Sequence, residues 1–153
     1  MHPLKISLAR LHAGEDRDAS SWVRRYYEED DLVFNARVEA GIVDLLRHPE
    51  WGSFFRILAD GYPVGYIVLT FGFDHEVGGR LGTITDFYVE LAHRSKGVGA
   101  AALDLIIDVA KDLGLKEVSL VVLDHNTRVL PLYHRKGFEA ESGRSWMCLQ
   151  MEP

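Results

Sequence analysis

A chain of 153 residues with 47% apolar side chains is sized for one compact domain, expected over residues 1–153, with no linker, repeat or low-complexity stretch. Its formal charge of −6 disfavours non-specific nucleic-acid binding, which needs a basic face, and suits a small cationic partner. Cys148 is the single cysteine, so no internal disulfide forms; no stretch approaches the roughly 20 apolar residues of a membrane span and the first ten residues lack a signal-peptide core, so the expected compartment is the cytoplasm.

Leu4 to Ala9 alternates weakly and reads as a first strand. Asp18 to Asp30 is patterned as a helix, with Trp22, Val23 and Tyr26 on one face, and Val38 to Arg47 as a second helix stopped by Pro49. Glu28, Glu29, Asp30 and Asp31 read as a solvated helix end or as an amine-attracting rim. Phe54 to Ala59 and Val64 to Phe73 are strand-like, and Asp60-Gly61 between them is a hairpin signal. Asp74 to Gly82 reads as a loop and Leu81 to Glu90 as a further strand, completing an antiparallel meander.

The pattern then changes. Val98, Ala101, Ala102, Leu105, Ile106 and Val109 recur at helical spacing from Gly97 to Leu113, with Gly114 placed to cap the end. Val118 to Leu123 has the length and apolar continuity of a buried strand. Strand, helix and strand make one crossover unit. A short helix from Thr127 to Lys136 follows, and Phe138 and Trp146 to Met151 are expected as closing strands.

The segment that carries chemistry is Arg94-Ser95-Lys96-Gly97-Val98-Gly99-Ala100. It joins a strand to a helix whose first amides have no internal partner and whose dipole is positive there. Glycines allow close backbone approach, and Arg94 and Lys96 add positive charge, so the segment reads as a cradle for pyrophosphate. Gly97 to Ala102 also fits the dinucleotide fingerprint G-x-G-x-x-A, with Asp124 as a ribose acid. Against that reading, Leu91 to Lys96 separate the strand from the first glycine. The chain also offers a single crossover unit, preceded by an antiparallel meander.

The downstream stretch from Asn126 to Phe138 decides between them. Arg94-x-x-Gly97-x-Gly99, the strand Asp86-Phe87-Tyr88-Val89 before it, and Asn126, Leu132-Tyr133 and Gly137-Phe138 after it resemble, in order and spacing, the GNAT superfamily of acyl-CoA N-acyltransferases. The resemblance covers about Phe54 to Phe138. It departs at Val129 and Pro131, which should distort the first turn of the short helix. It departs also at Thr85, where some relatives carry a glutamate base.

The resemblance implies an α/β fold: a mixed, mostly antiparallel sheet with helices on both faces and central strands that splay after a bulge. It implies acetyl-CoA as acyl donor and direct attack by an amine in a ternary complex. The backbone of Phe87, Tyr88 and Val89 would pair with pantetheine and offer an oxyanion donor. Ser95, Lys96, Gly97, Val98, Gly99 and Ala100, with Arg94, would hold the pyrophosphate. Tyr133 would protonate the departing thiolate, since its ordinary pKa of about 10 lies near the thiol's 8.5. Asn126 would bond the cofactor, cap the helix at Thr127, or both. Asp86 is the nearest carboxylate for the amine proton; strict alternation aims it away from Thr85, Phe87 and Val89 unless a bulge re-aims it, and a base acting through water is the alternative. Tyr26, Tyr27, Phe71, Phe73 and Trp146 would line the acceptor mouth or serve as core. The histidines show no metal-ligand spacing, so no metal is expected. The expected acceptor is a small cationic amine; a protein amine and a non-catalytic acyl-CoA-binding module are the alternatives. A homodimer is left open.

Overall fold

The structure is a computed structural model and describes residues 2–152. One compact unit ends at Val121 and a second begins at Val122; Met1 and Pro153, the ends of the expected single domain, lie outside the described residues.

The first unit is built on a five-stranded sheet, β1 (Ile6–Arg10), β2 (Gly52–Ala59), β3 (Tyr62–Asp74), β4 (Gly79–Val89) and β5 (Glu117–Leu120), in that spatial order. All neighbours are antiparallel except β4 and β5, which are parallel because α3 (Val98–Asp112) carries the chain across between them. The Asp60-Gly61 turn is as expected: both residues take positive φ, 49° and 86°, as a two-residue hairpin matched to strand twist requires.

Helices α1 (Asp16–Glu29) and α2 (Ala36–Arg47) each present one apolar stripe. Asn35 caps α2 by accepting from the Val38 amide at 3.1 Å. Trp22, Val23, Ile42 and Leu46 from these helices pack on Phe54, Tyr66, Val68 and Tyr88 of the sheet. The alternate residues Ile57, Ile67 and Leu69 are wholly buried on the other face, with Leu103 and Ile106 of α3 equally buried. Gly114 (φ 71°) ends α3, with Gly114 and Leu115 amides donating to Lys111 and Ala110 carbonyls at 3.0 Å, a Schellman-type close.

Four expectations are corrected. The Asp74 to Gly82 loop shrinks to residues 75–78, because Gly79 and Gly82 are strand positions paired with Asp74 and Phe71. Gly82 is there for packing, since a Cβ would lie 2.9 Å from the side chains of Leu69 and Leu115. Second, the apolar run after Glu117 pairs only as far as Leu120, and Val121 is 80% exposed: β5 is paired on one side only, so it is no buried strand.

Third, in the second unit, the short helix is a 3-10 turn, Thr127–Val129, followed by α4 (Leu130–Arg135). The break at Leu130-Pro131 is where a residue without an amide donor was expected to distort the first turn. Fourth, Trp146 to Met151 forms no strand, nor does Phe138. Trp146, Met147, Leu149 and Met151 are extensively exposed, and Cys148 with them, with no ladder to fix their alternation.

Candidate active site

The site of the first unit is shaped by one irregularity in β4. Val68 pairs with Asp86, but the next residue of β3, Leu69, pairs with Ile84, leaving Thr85 as an extra residue. This bulge reverses the alternation, so Asp86 joins Tyr88 on the α1/α2 face. The Tyr66 hydroxyl donates to Asp86 Oδ2 at 2.9 Å. Burial pushes the Asp86 carboxyl up to about 6, and the Tyr66 hydrogen bond partly offsets the shift.

Aromatic rings surround this carboxylate. Tyr26 lies 5.7 to 6.5 Å, centroid to centroid, from Tyr27, Tyr66 and Tyr88. Burial pushes the Tyr26 hydroxyl up to about 12, with Asp30 and Asp86 adding to the shift, and burial raises Tyr27 in the same direction. The group is therefore a set of neutral phenols around one carboxyl.

The bulge also ends the sheet on its other side. The β4–β5 ladder runs from Leu81–Glu117 to Ile84–Leu120 and stops immediately before Thr85. Phe87, Tyr88 and Val89 remain paired to β3, but their outer edge has no sheet partner. The ladder to β5 thus ends before these residues, and their outer main-chain donors and acceptors are the ones an extended ligand would pair with.

Beyond β4, the cradle has the form expected of an anion site. Gly97 (φ 79°) precedes α3 with no side-chain cap, and the first helical bond runs from Ala101 to Gly97 at 3.1 Å. The amides of Val98, Gly99 and Ala100 thus have no acceptor within the helix. Ser95 also takes positive φ, 60°, and a Cβ built at Gly97 meets open space. Exposed Ser95, Lys96 and Gly97 border these amides, so the residues present fit a pyrophosphate.

Arg94 is differently engaged. Its Nε donates to the Val89 carbonyl at 2.8 Å, and its Nη2 pairs with Glu29, which also accepts from the Tyr88 hydroxyl at 3.0 Å. Glu29 therefore leaves the solvated helix end assigned to Glu28–Asp31 and ties α1 to the start of the cradle. Phe73 and Trp146 are 73% and 90% exposed and so are not core, whereas Phe71 lies beneath Arg80 at 5.0 Å.

In the second unit, Tyr133 is half-buried, with its ring edge-on to Phe138 at 5.9 Å, and burial raises its hydroxyl above the ordinary value. Asn126 makes no side-chain cap to the turn that follows, which removes the capping role. Tyr66 and Glu29 are the partners that the sequence reading missed. The signal for Tyr66 was its register opposite Tyr88, which only the folded hairpins fix.

Comparison with known proteins gives the family and the fold. The model of the Acetyltransferase (GNAT) family matches residues 11–138. A thialysine N-epsilon-acetyltransferase of Bos taurus is 31% identical over 61% of this chain, which spans 58% of that protein's length. The crystal structure of an integron cassette protein from the mobile metagenome of Cole Harbour Salt Marsh superposes with a TM-score of 0.79 at 31% identity. That match covers 95% of this chain and 91% of the other. A predicted acetyltransferase of Clostridium acetobutylicum, solved with acetyl-CoA, has the same fold at 17% identity and TM-score 0.75, covering 96% and 97%. With its bulged β4, its uncapped glycine-led helix and a family match over most of its length, this chain belongs to the acetyltransferase (GNAT) family.

Proposed function

We propose that the chain transfers an acetyl group from acetyl-CoA to the primary amine of a small cationic metabolite, by direct attack in a ternary complex. The observation that carries the reading is the Asp86 carboxylate, turned by the Thr85 bulge onto an aromatic-walled face beside the free edge of β4. Acetyl-CoA supplies an activated thioester; Ser95 to Ala100 hold its pyrophosphate, and the main chain of Phe87 to Val89 pairs with its pantetheine arm.

Asp86 has the charge to receive an ammonium group. With its pKa at about 6 it is mostly ionised at neutral pH. An alkylamine has a pKa of about 10.4, so full proton transfer to Asp86 before attack costs about 6 kcal/mol. Asp86 therefore binds and orients the ammonium and takes one proton from it at that cost, which frees the nitrogen lone pair that then attacks the thioester carbonyl. Burial keeps Tyr133 protonated, and the family resemblance makes it the residue to donate to the leaving thiolate. The acidic chain and the thialysine-acetylating relative both support a small amine as acceptor.

The test is a panel of aliphatic mono- and diamines, with a peptide bearing a free N-terminus in parallel, incubated with acetyl-CoA and read by thiol release. Release that depends on a small amine supports the reading. Release with the peptide alone moves the acceptor to a protein amine, and none with either class contradicts acetyl transfer to amines.

A further inference from the structure

Tyr66 is wholly buried in the middle of β3, where a phenylalanine would fill the same space without a polar atom to satisfy. Its ring stacks on Phe54 at 5.0 Å and 9°, which fixes the plane in which the hydroxyl can lie. The hydroxyl is spent on one bond, to Asp86 Oδ2. β2, β3 and β4 thus supply, in order, the ring that clamps Tyr66, Tyr66 itself, and the carboxylate that it holds.

We infer that Tyr66 is a positioning residue for acetyl transfer: its clamped hydroxyl holds Asp86 in one orientation and keeps it ionised, leaving the second carboxylate oxygen to meet the acceptor amine. This rests on the assignment of Asp86 to the amine made above. A carboxylate in an apolar wall takes up a proton or swings away unless a donor is fixed beside it. What offsets burial here is a phenol rather than a cation. A lysine or arginine in that place would repel the incoming ammonium, whereas a neutral phenol stabilises the carboxylate and leaves its charge for the substrate.

Among the described residues the titratable groups around Asp86 are Tyr26 and Tyr27 from α1, Tyr66 from β3 and Tyr88 from β4, with Glu29 and Asp30 at the end of α1; Arg94 and Arg25 act on Tyr88, and Arg94 is paired with Glu29. All four phenols are shifted upward and stay neutral across the acid range, so the Tyr66 bond is what a single substitution there removes.

The experiment compares wild type, Tyr66→Phe, Asp86→Asn and a chain carrying difluorotyrosine at position 66, a stronger donor. The readouts are the pH dependence of kcat/KM for a working amine and the carboxyl-carbon NMR titration of Asp86. Tyr66→Phe is expected to move the acid limb and the carboxyl titration together to higher pH by about one unit, as loss of one bond to a charged acceptor implies. Difluorotyrosine is expected to move both lower. The difluorotyrosine chain decides the matter if the phenylalanine variant does not fold. Unmoved limbs with Asp86→Asn inactive overturn the role of Tyr66. Asp86→Asn with full kcat/KM overturns instead the assignment of Asp86, whatever its titration does.

Discussion

Ile84 and Asp86 stand two residues apart in one strand, yet face opposite sides of the sheet. Ile84 is buried and pairs with Leu69 on the α3 face, while Asp86 pairs with Val68 and bonds Tyr66 on the α1/α2 face. The Thr85 bulge is the sole device separating them. Inserting one residue between Val68 and Leu69 gives Thr85 a partner, restores strict alternation and drives Asp86 onto the face of Ile84, among Ile67, Leu69 and Ile106, or shifts the register of all that follows. Acetyl transfer is expected to be abolished and stability to fall by about 3 kcal/mol or more, as for a buried unpaired carboxylate. Urea unfolding alongside turnover measures both.

The carboxyl at about 6 makes stability depend on pH. The folded pKa lies above the carboxyl's ordinary value of 3.8, so the native state holds the proton more tightly than the unfolded chain. Wild type therefore loses stability as pH rises from about 4 to about 6. Asp86→Asn removes that loss. Its stability relative to wild type is expected to improve by about 2 kcal/mol between pH 4 and pH 7, measured as denaturant midpoints at the two pH values.

At the cradle, Gly99→Glu places a negative charge among the free amides at the start of α3. The dipole tolerates a carboxylate there, so folding is expected to be intact. The carboxylate competes for the same amides and repels pyrophosphate, so acetyl-CoA affinity is expected to fall at least about tenfold, or about 1.4 kcal/mol. Calorimetry with acetyl-CoA checks this, and unchanged affinity would place the pyrophosphate elsewhere.

Tyr133→Phe keeps the ring against Phe138 and removes only the hydroxyl. Turnover is expected to fall about 100-fold, the lower end for general acid catalysis, because a thiolate is already a fair leaving group. Acetyl-CoA affinity should stay near its original value. Turnover that does not change makes Tyr133 structural.

Much of this was legible in sequence because it is local. The Asp60-Gly61 hairpin, the α3 periodicity, Gly114 as a C-cap and Gly97 before a free helix start each follow from a few neighbouring residues. The bulge was foreseen only as a way to re-aim Asp86; its position depends on the register of β3 against β4, which no local pattern fixes. Tyr66 looked like any strand aromatic until Asp86 was turned toward it. Glu29 read as solvent-facing because Tyr88 and Arg94, its partners, lie about sixty residues onward. The runs at Val118 to Leu123 and Trp146 to Met151 misled for a related reason: apolar composition sets strand propensity, but pairing needs a neighbour, and the ladder ends at Leu120.

The central claim is that Asp86 serves the amine and not the coenzyme, and kcat/KM of Asp86→Asn for a working primary amine tests it most directly, with acetyl-CoA affinity measured calorimetrically on the same preparation. The account predicts a loss of about 100-fold or more in kcat/KM for the amine, with acetyl-CoA bound as in wild type. An Asp86→Asn enzyme within about twofold of wild type would contradict it.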